Sequence, residues 1–301
     1  MEKTYSGFVA IVGRPNVGKS SLLNALLGEK VAIVTNKPQT TRTRITGVLT
    51  QEEKQYVFMD TPGLHKAKTH LGENMVKAVN TTLNDIDMVL LVVEPKGEVN
   101  QAELDLIASI QKQRLPAILV INKIDLLEDK SLVAQRIAQL EELHHFEAVV
   151  PISVLNGEGI SDLFSEMDQF LVESPHFFPD DTLTDQPERV IVSELIREKI
   201  LLTMQQEIPH GTAVVIERMR ERENREDMID IDATIYCEKA SHKGMLIGKG
   251  GQTLKKIASL ARTDIEHFLD AKVNLQCWVK VKEDWRNRDG LISNFGLSFQ
   301  E

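Results

Sequence analysis

The sequence predicts an α/β domain, a mostly parallel sheet with helices on both faces, followed by a smaller α+β domain. Three observations carry this. From residue 8 to about 172, apolar runs of strand length alternate with amphipathic stretches. Those runs are apolar at nearly every position, as strands covered on both faces require. A Pro-rich, acidic stretch at 174–188 then ends the pattern, and a different order of elements follows.

The elements run as follows. Residues 8–12 read as a strand that leads into a Gly-rich turn and a helix over 19–27. Strands over 56–59 and 88–93, a helix over 101–114 and a strand over 117–121 come next. A helix over 131–144, a strand over 148–152 and a helix over 160–172 complete the first domain. Beyond the break come a helix over 189–207, strands over 212–217 and 228–237, a Gly-rich turn at 248–251, a helix over 252–269 and a strand over 275–282. The expected division is a first domain at 1–173, a linker at 174–188 and a second domain at 189–301.

Composition narrows the classes. The 301 residues carry 45 acids against 35 Lys and Arg, and 42% hydrophobic with 27% charged residues excludes wholesale disorder. The longest apolar run, 86–93, contains Asp87 and falls far short of the ~18 residues a membrane helix needs. Glu2 and Lys3 lead straight into a strand, which argues against a signal peptide. Cys237 and Cys277 make no disulfide framework and suit a reducing cytosol, as buried strand residues. Charge is uneven: residues 1–178 are net −6, 179–237 net −7, and 238–288 net +5. A basic segment in an acidic chain points to a polyanion partner on one surface, the bland alternative being a solvated lysine face.

The motifs follow the strands, where open α/β sheets place ligands. Gly13-Arg14-Pro15-Asn16-Val17-Gly18-Lys19-Ser20 lies between a strand and a helix, the context of a phosphate-binding loop. Its glycines let successive N–H groups face phosphate oxygens at a helix N-terminus. Lys19 would neutralise the β- and γ-phosphates, and Ser20 would ligate Mg²⁺. Asp60-Thr61-Pro62-Gly63-Leu64 ends the 56–59 strand, with Asp60 for Mg²⁺ and the Gly63 N–H for the γ-phosphate. Asn122-Lys123-Ile124-Asp125 ends the 117–121 strand. The Asp125 carboxylate can accept from N1–H and the 2-amino group of guanine. Adenine has a bare acceptor there and would leave it unpaired, so GTP is expected over ATP. Ser153 and Val154 follow the 148–152 strand, where a backbone N–H reaches guanine O6. In the hydroxyl-rich stretch 38–44, Thr41, or Thr40 beside it, would join Mg²⁺ once a γ-phosphate is present. Lys19, Thr41 and Gly63, around the γ-phosphate, are the candidates for catalysis.

The second domain carries Gly248-Lys249-Gly250-Gly251 at the start of a helix, with Lys243, Lys255, Lys256 and Arg262 around it. A G-x-x-G loop of this kind lets a nucleic-acid backbone approach closely, as in KH domains. Trp278 is expected in the core or the groove wall, with a stacking platform as the alternative, and Trp285 is expected to face a partner.

The nucleotide motifs resemble the translation-factor-related GTPases. Their pairing with 177–181, 193–199, the 248–251 loop and 278–282 is similar to the Era family of bacterial GTPases, which end in a type II KH domain. That resemblance implies GTP hydrolysis with Mg²⁺, a monomer, and binding to the small ribosomal subunit near the 3′ end of its rRNA. It further implies a role in 30S maturation and a peripheral association with the cytoplasmic face of the membrane. Asn16 resembles the asparagine with which related GTPases hold K⁺, although it also suits a strained loop. Leu64 stands where many GTPases have a water-orienting Gln, which predicts slow intrinsic hydrolysis or help from another group. Val154 stands where the family usually has Ala. Two rival readings are a constitutive RNA-binding module with a structural nucleotide, and a membrane or division regulator.

Overall fold

The computed structural model describes residues 3–63, 69–83, 86–205, 208–223 and 225–298. The chain forms two compact units, one of residues 1–32, 41–67 and 74–185, the other of 33–40, 68–73 and 186–301.

Up to residue 173 the elements are β1 (Tyr5–Val12), α1 (Lys19–Leu27), β2 (Ile45–Gln51), β3 (Lys54–Asp60), α2 (His70–Thr82) and β4 (Met88–Val93). They continue with α3 (Gln101–Gln113), β5 (Ala117–Ile121), α4 (Ser131–Glu141), β6 (Ala148–Pro151), α5 (Ile160–Met167) and β7 (Val172–Glu173). The sheet runs β2-β3-β1-β4-β5-β6; β2 is antiparallel to β3, and β7 pairs antiparallel with the start of β1. The unbroken apolarity of the central strands has a direct cause. Val9, Ile11, Leu90, Val92, Ile118 and Val120 fill the core on one face. The alternate residues Ala10, Val12, Leu91, Val93, Leu119 and Ile121 fill the core on the other. Parallel pairing of β1 with β3 and β4, of β4 with β5, and of β5 with β6 aligns the strand ends that carry the motifs.

Residues 174–185, read above as linker, run back along this first unit. Buried Gln55 organises them: its Oε1 accepts from the N–H groups of Phe177 and Phe178 (2.8 and 3.0 Å), and its Nε2 donates to Phe178 O (2.9 Å). Phe177 packs on Phe8, Leu183 O accepts from Val48 N, and Ser174 N donates to Thr4 O (3.0 Å).

The second unit contains α6 (Glu188–Thr203), β8 (Thr212–Arg222), β9 (Arg225–Cys237), α7 (Ala240–Ile247), α8 (Gln252–Leu269), β10 (Lys272–Val281) and α9 (Asp289–Asn294). Its sheet is ordered β10-β9-β8, with β10 parallel to β9 and β8 antiparallel. Residues of α6, α7 and α8 pack a core against one face of it. Residues 33–40 belong here as well. Ile33 joins the core, Glu198 accepts from Val34 N (2.9 Å), Lys37 donates to the carbonyls of Leu201 and Met204, and Arg197 donates to Thr40 O. Both tryptophans depart from expectation. Trp285 is fully buried with Leu71, Ala213 and Ile292, its indole N–H on Gly211 O, because the chain turns back over the sheet after β10. Trp278 is 45% exposed and lies on the sheet face turned away from the helices, so it is neither core nor groove wall.

Candidate nucleotide and RNA sites

The phosphate loop leaves β1 and enters α1 through backbone that tolerates no substitute. Gly18 has φ +102°, and a Cβ there would sit 2.2 Å from the Asn122 amide nitrogen. A Cβ on Gly63 would meet the Pro15 backbone at 2.7 Å. The absent side chains thus let the loop close against two other motifs. Asn16 takes φ +68°, which Asn accepts more readily than most residues, and its carbonyl accepts from Lys123 Nζ (2.6 Å).

Three oxygens meet at the head of α1. Ser20 Oγ donates to Asp60 Oδ2 (2.6 Å) and lies 2.8 Å from Thr41 Oγ1. Thr40 instead hydrogen-bonds Lys37 O and the Thr35 hydroxyl, so Thr41 is the residue that the structure brings to Ser20. Asp60 is fully buried, with Oδ1 lacking a hydrogen-bond partner among the described residues. Burial pushes its carboxyl up to about 6, with Lys19 opposing. A buried carboxylate with an unmet oxygen beside two hydroxyls is a hard-oxygen donor set that fits Mg²⁺. Lys19 is buried too, its Nζ resting on Arg14 O (3.1 Å), and burial brings it down to about 8 against the pull of Asp60. A polyanion beside Lys19 and a cation beside Asp60 would relieve both desolvation costs. Thr61 fixes the turn into Pro62 and Gly63 by donating to Ile11 O (3.0 Å). Leu64 lies outside the described residues.

The base-binding motif is assembled by side chains bonding to backbone. Asn122 donates to Val17 O (2.9 Å), and its Oδ1 accepts from Lys123 N and Val154 N. Exposed Asp125 accepts from Ser153 Oγ (2.6 Å), and Ile124 N donates to Ile152 O. The Ser153 and Val154 N–H groups, expected near guanine O6, both have partners within the protein. Ser153 N donates to Glu158 O (3.0 Å) in a bridge that closes the 153–158 turn, and Val154 N is on Asn122. Ser153 acts here through its hydroxyl, which orients Asp125.

Sequence reasoning missed the charges behind the loop. Glu94 holds Arg14 through Oε2 (2.7 Å) and Lys123 through Oε1 (2.6 Å), tying the phosphate loop to the base motif. Glu103, fully buried, pairs with Arg136 (2.7 Å) and lies 3.6 Å from Arg14 Nε. Glu94 was findable, because it follows β4 directly at the ligand-bearing end of the sheet.

In the second unit Gly248, Gly250 and Gly251 take φ +72°, +59° and +80°, and exposed Lys249 sits between them. The loop opens α8 beside a cleft of about 380 Å³ lined by Gly251, Leu254, Lys255, Arg262, Leu275 and Cys277 among others. Lys243 and Lys256 are exposed but do not line it. Burial pushes the Cys277 thiol up to about 12, so that wall of the cleft is neutral. Apolar walls with cations at the rim suit bases inside and phosphates outside.

Residues 8–123 match the 50S ribosome-binding GTPase family, and 207–286 match the KH domain family. The chain is 50% identical to GTPase Era of Clostridioides difficile (strain 630), over 97% of this chain and 98% of that one. It is 48% identical to GTPase Era of Ruminiclostridium cellulolyticum, over 97% of each. A point variant of Aquifex aeolicus Era bound to GDP·AlF4⁻ superposes with TM-score 0.95 at 36% identity, covering 98% of this chain and 100% of the other. The same values hold for an Era complex with MgGDPNP and nucleotides 1506–1542 of 16S ribosomal RNA. A likeness that spans both units at once, and not only a nucleotide-binding domain, makes this chain a member of the Era family of GTPases.

Proposed function

We propose that the chain is a GTP-hydrolysing switch that holds small-subunit rRNA near its 3′ end and acts in assembly of the 30S subunit. The observation that carries this is the pairing, in one chain, of the Ser20–Thr41–Asp60 oxygen cluster with a G-x-x-G loop over a cation-rimmed cleft. Lys19 binds the β- and γ-phosphates, Asp125 selects guanine, and Gly63 N–H and Thr41 report the γ-phosphate. Mg²⁺ supplies charge neutralisation at the phosphates when bound. The nucleotide-domain family is named for large-subunit binders, but the relative similar over the full length binds 16S rRNA, and small-subunit RNA is the partner we favour.

The test is affinity for a single-stranded rRNA 3′-end oligonucleotide with GDP and with a non-hydrolysable GTP analogue, at two salt concentrations. Tighter, sequence-selective binding with the analogue is expected. Equal affinity in both states would make the protein a constitutive RNA binder with a structural nucleotide. Gly250→Asp is expected to abolish RNA binding and leave basal GTP hydrolysis intact.

Asn16 would hold K⁺ beside the phosphates, and the rate is expected to fall when Na⁺ replaces K⁺. We place the protein in the cytoplasm. No helix among the described residues is long and apolar enough to cross a membrane, so any membrane association would be peripheral. Liposome flotation without RNA tests that association.

A further inference from the structure

We infer that Trp278 is a stacking platform for a nucleotide that leaves the KH cleft across the edge of β10, with Lys280, two residues along the same face, taking a flanking phosphate. The inference rests on the RNA reading above and extends it to the opposite face of the sheet.

Side chains along β10 alternate between faces. Leu275 and Cys277 line the cleft beside α8, and Asn274 borders it, whereas Lys272, Gln276, Trp278 and Lys280 share the other face by strand alternation. Among the described strands β10 pairs only with β9, so its second edge is open and the two faces meet across one strand's width. The outer face is occupied at both ends. At one end Tyr236 stacks on Phe295, and Ala213 lies in the cluster with Trp285. At the other, Arg218 pairs with Asp232 (2.7 Å), while Arg222 and Asn274 hold Asp230. Asp230 and Asp232 are thereby each paired with an arginine, while Glu217 accepts from the Tyr236 hydroxyl (3.4 Å) at the end that Phe295 covers. Between the ends stands Trp278, opposite the buried Thr234, with 45% of its surface in water.

The chemistry favours RNA over a protein. Among the described residues Trp278 is the one large exposed hydrophobic on this sheet face, so there is no apolar patch for a protein to bury. A lone flat ring between Gln276 and Lys280 instead matches a base-stacking platform, which accepts any base. A KH loop clamps about four nucleotides, so a longer strand must continue past the cleft.

The two tryptophans give a direct readout, because Trp285 is wholly buried. The full chain with Mg²⁺ and a non-hydrolysable GTP analogue is titrated with a roughly 12-nucleotide rRNA 3′-end oligonucleotide, and with one cut back to about four. The longer RNA is expected to quench tryptophan emission and the short one to leave it unchanged. Trp278→Ala is expected to weaken the longer RNA about tenfold and the short one not at all, and Trp278→Phe to retain most of the affinity. Circular dichroism melts of both variants check the fold, which an exposed site should preserve. Unchanged emission at saturating RNA, or full affinity in Trp278→Ala, overturns the inference and leaves the platform to a protein partner or none. A wild-type chain that binds neither oligonucleotide overturns the RNA reading itself.

Discussion

Asp125 can discriminate guanine only if its carboxylate is held still, and the Ser153 hydroxyl is the group that holds it. Ser153→Ala removes one hydrogen bond to a charged acceptor. GDP affinity is expected to fall by about 1 kcal/mol, roughly fivefold, in a fluorescent-nucleotide titration, with the fold unchanged. Glu94 works one layer further back. Glu94→Gln keeps the shape but weakens two charge-assisted bonds at a partly exposed position, so GDP release should speed up about fivefold in stopped-flow displacement. Lys19→Ala should abolish nucleotide binding if this buried ammonium takes the phosphates as proposed. The contrast between these residues shows what was legible. Lys19, Asp60, Asn122 and Asp125 stand out because each follows a strand at a fixed spacing. The hydroxyl of Ser153 was visible, but its role was not, since the bridge to Glu158 that takes its N–H depends on how the 153–158 turn closes.

At the scale of elements, the strap over 174–185 is where composition misled. Prolines and polar residues without period resemble a free linker, yet Gln55 satisfies three of its backbone groups at once. Gln55→Leu would take away three hydrogen bonds to this part-buried segment, at a cost of about 1 kcal/mol that thermal unfolding should show. The strap also carries a pH dependence. His176 Nδ1 faces the Asp180 carboxylate and Nε2 faces Glu53 O, so both ring nitrogens meet acceptors and the doubly protonated ring is favoured. The hydrogen bond to Asp180 raises its pKa above the usual 6.5. The stabilisation is therefore complete below 6.5 and is lost as pH rises through the raised value. Proteolysis within 174–185 should quicken over that window, and His176→Ala should remove the dependence. Other elements were hidden for local reasons. β2 has Gly and Thr among its apolar residues, and α7 buries only Leu246 and contains Gly244. In α2 the core positions Leu71, Met75, Ala78 and Val79 do keep helical spacing, within a polar composition that masked it.

At the scale of the whole molecule, the sequence showed the two-part plan because each part states its own period and its own glycine loop. What it could not show is that residues 33–40, upstream of Thr41, would be counted with the second unit. That membership depends on side chains far off in the sequence, Arg197 and Glu198 on α6 among them. A double variant, Arg197→Ala with Lys37→Ala, frees that segment without touching the phosphate loop. It is expected to reduce the difference in RNA affinity between the GDP and GTP-analogue states, while RNA affinity with GDP changes little.

The hydrogen bond between Thr4 and Ser174 has a topological meaning. It closes the seam at which the chain enters the nucleotide unit and passes from β7 into the strap over 174–185, with β7 zipped to β1 beside it. The strap beyond is fastened to Gln55 and Val48, so chain from both extremes of this unit is pinned along one side of its sheet. Tension drawn through residue 185 is therefore expected to peel the strap from Gln55 before it reaches the β1–β7 zipper, with the β1–β3–β4 core that holds the phosphate loop left unstretched.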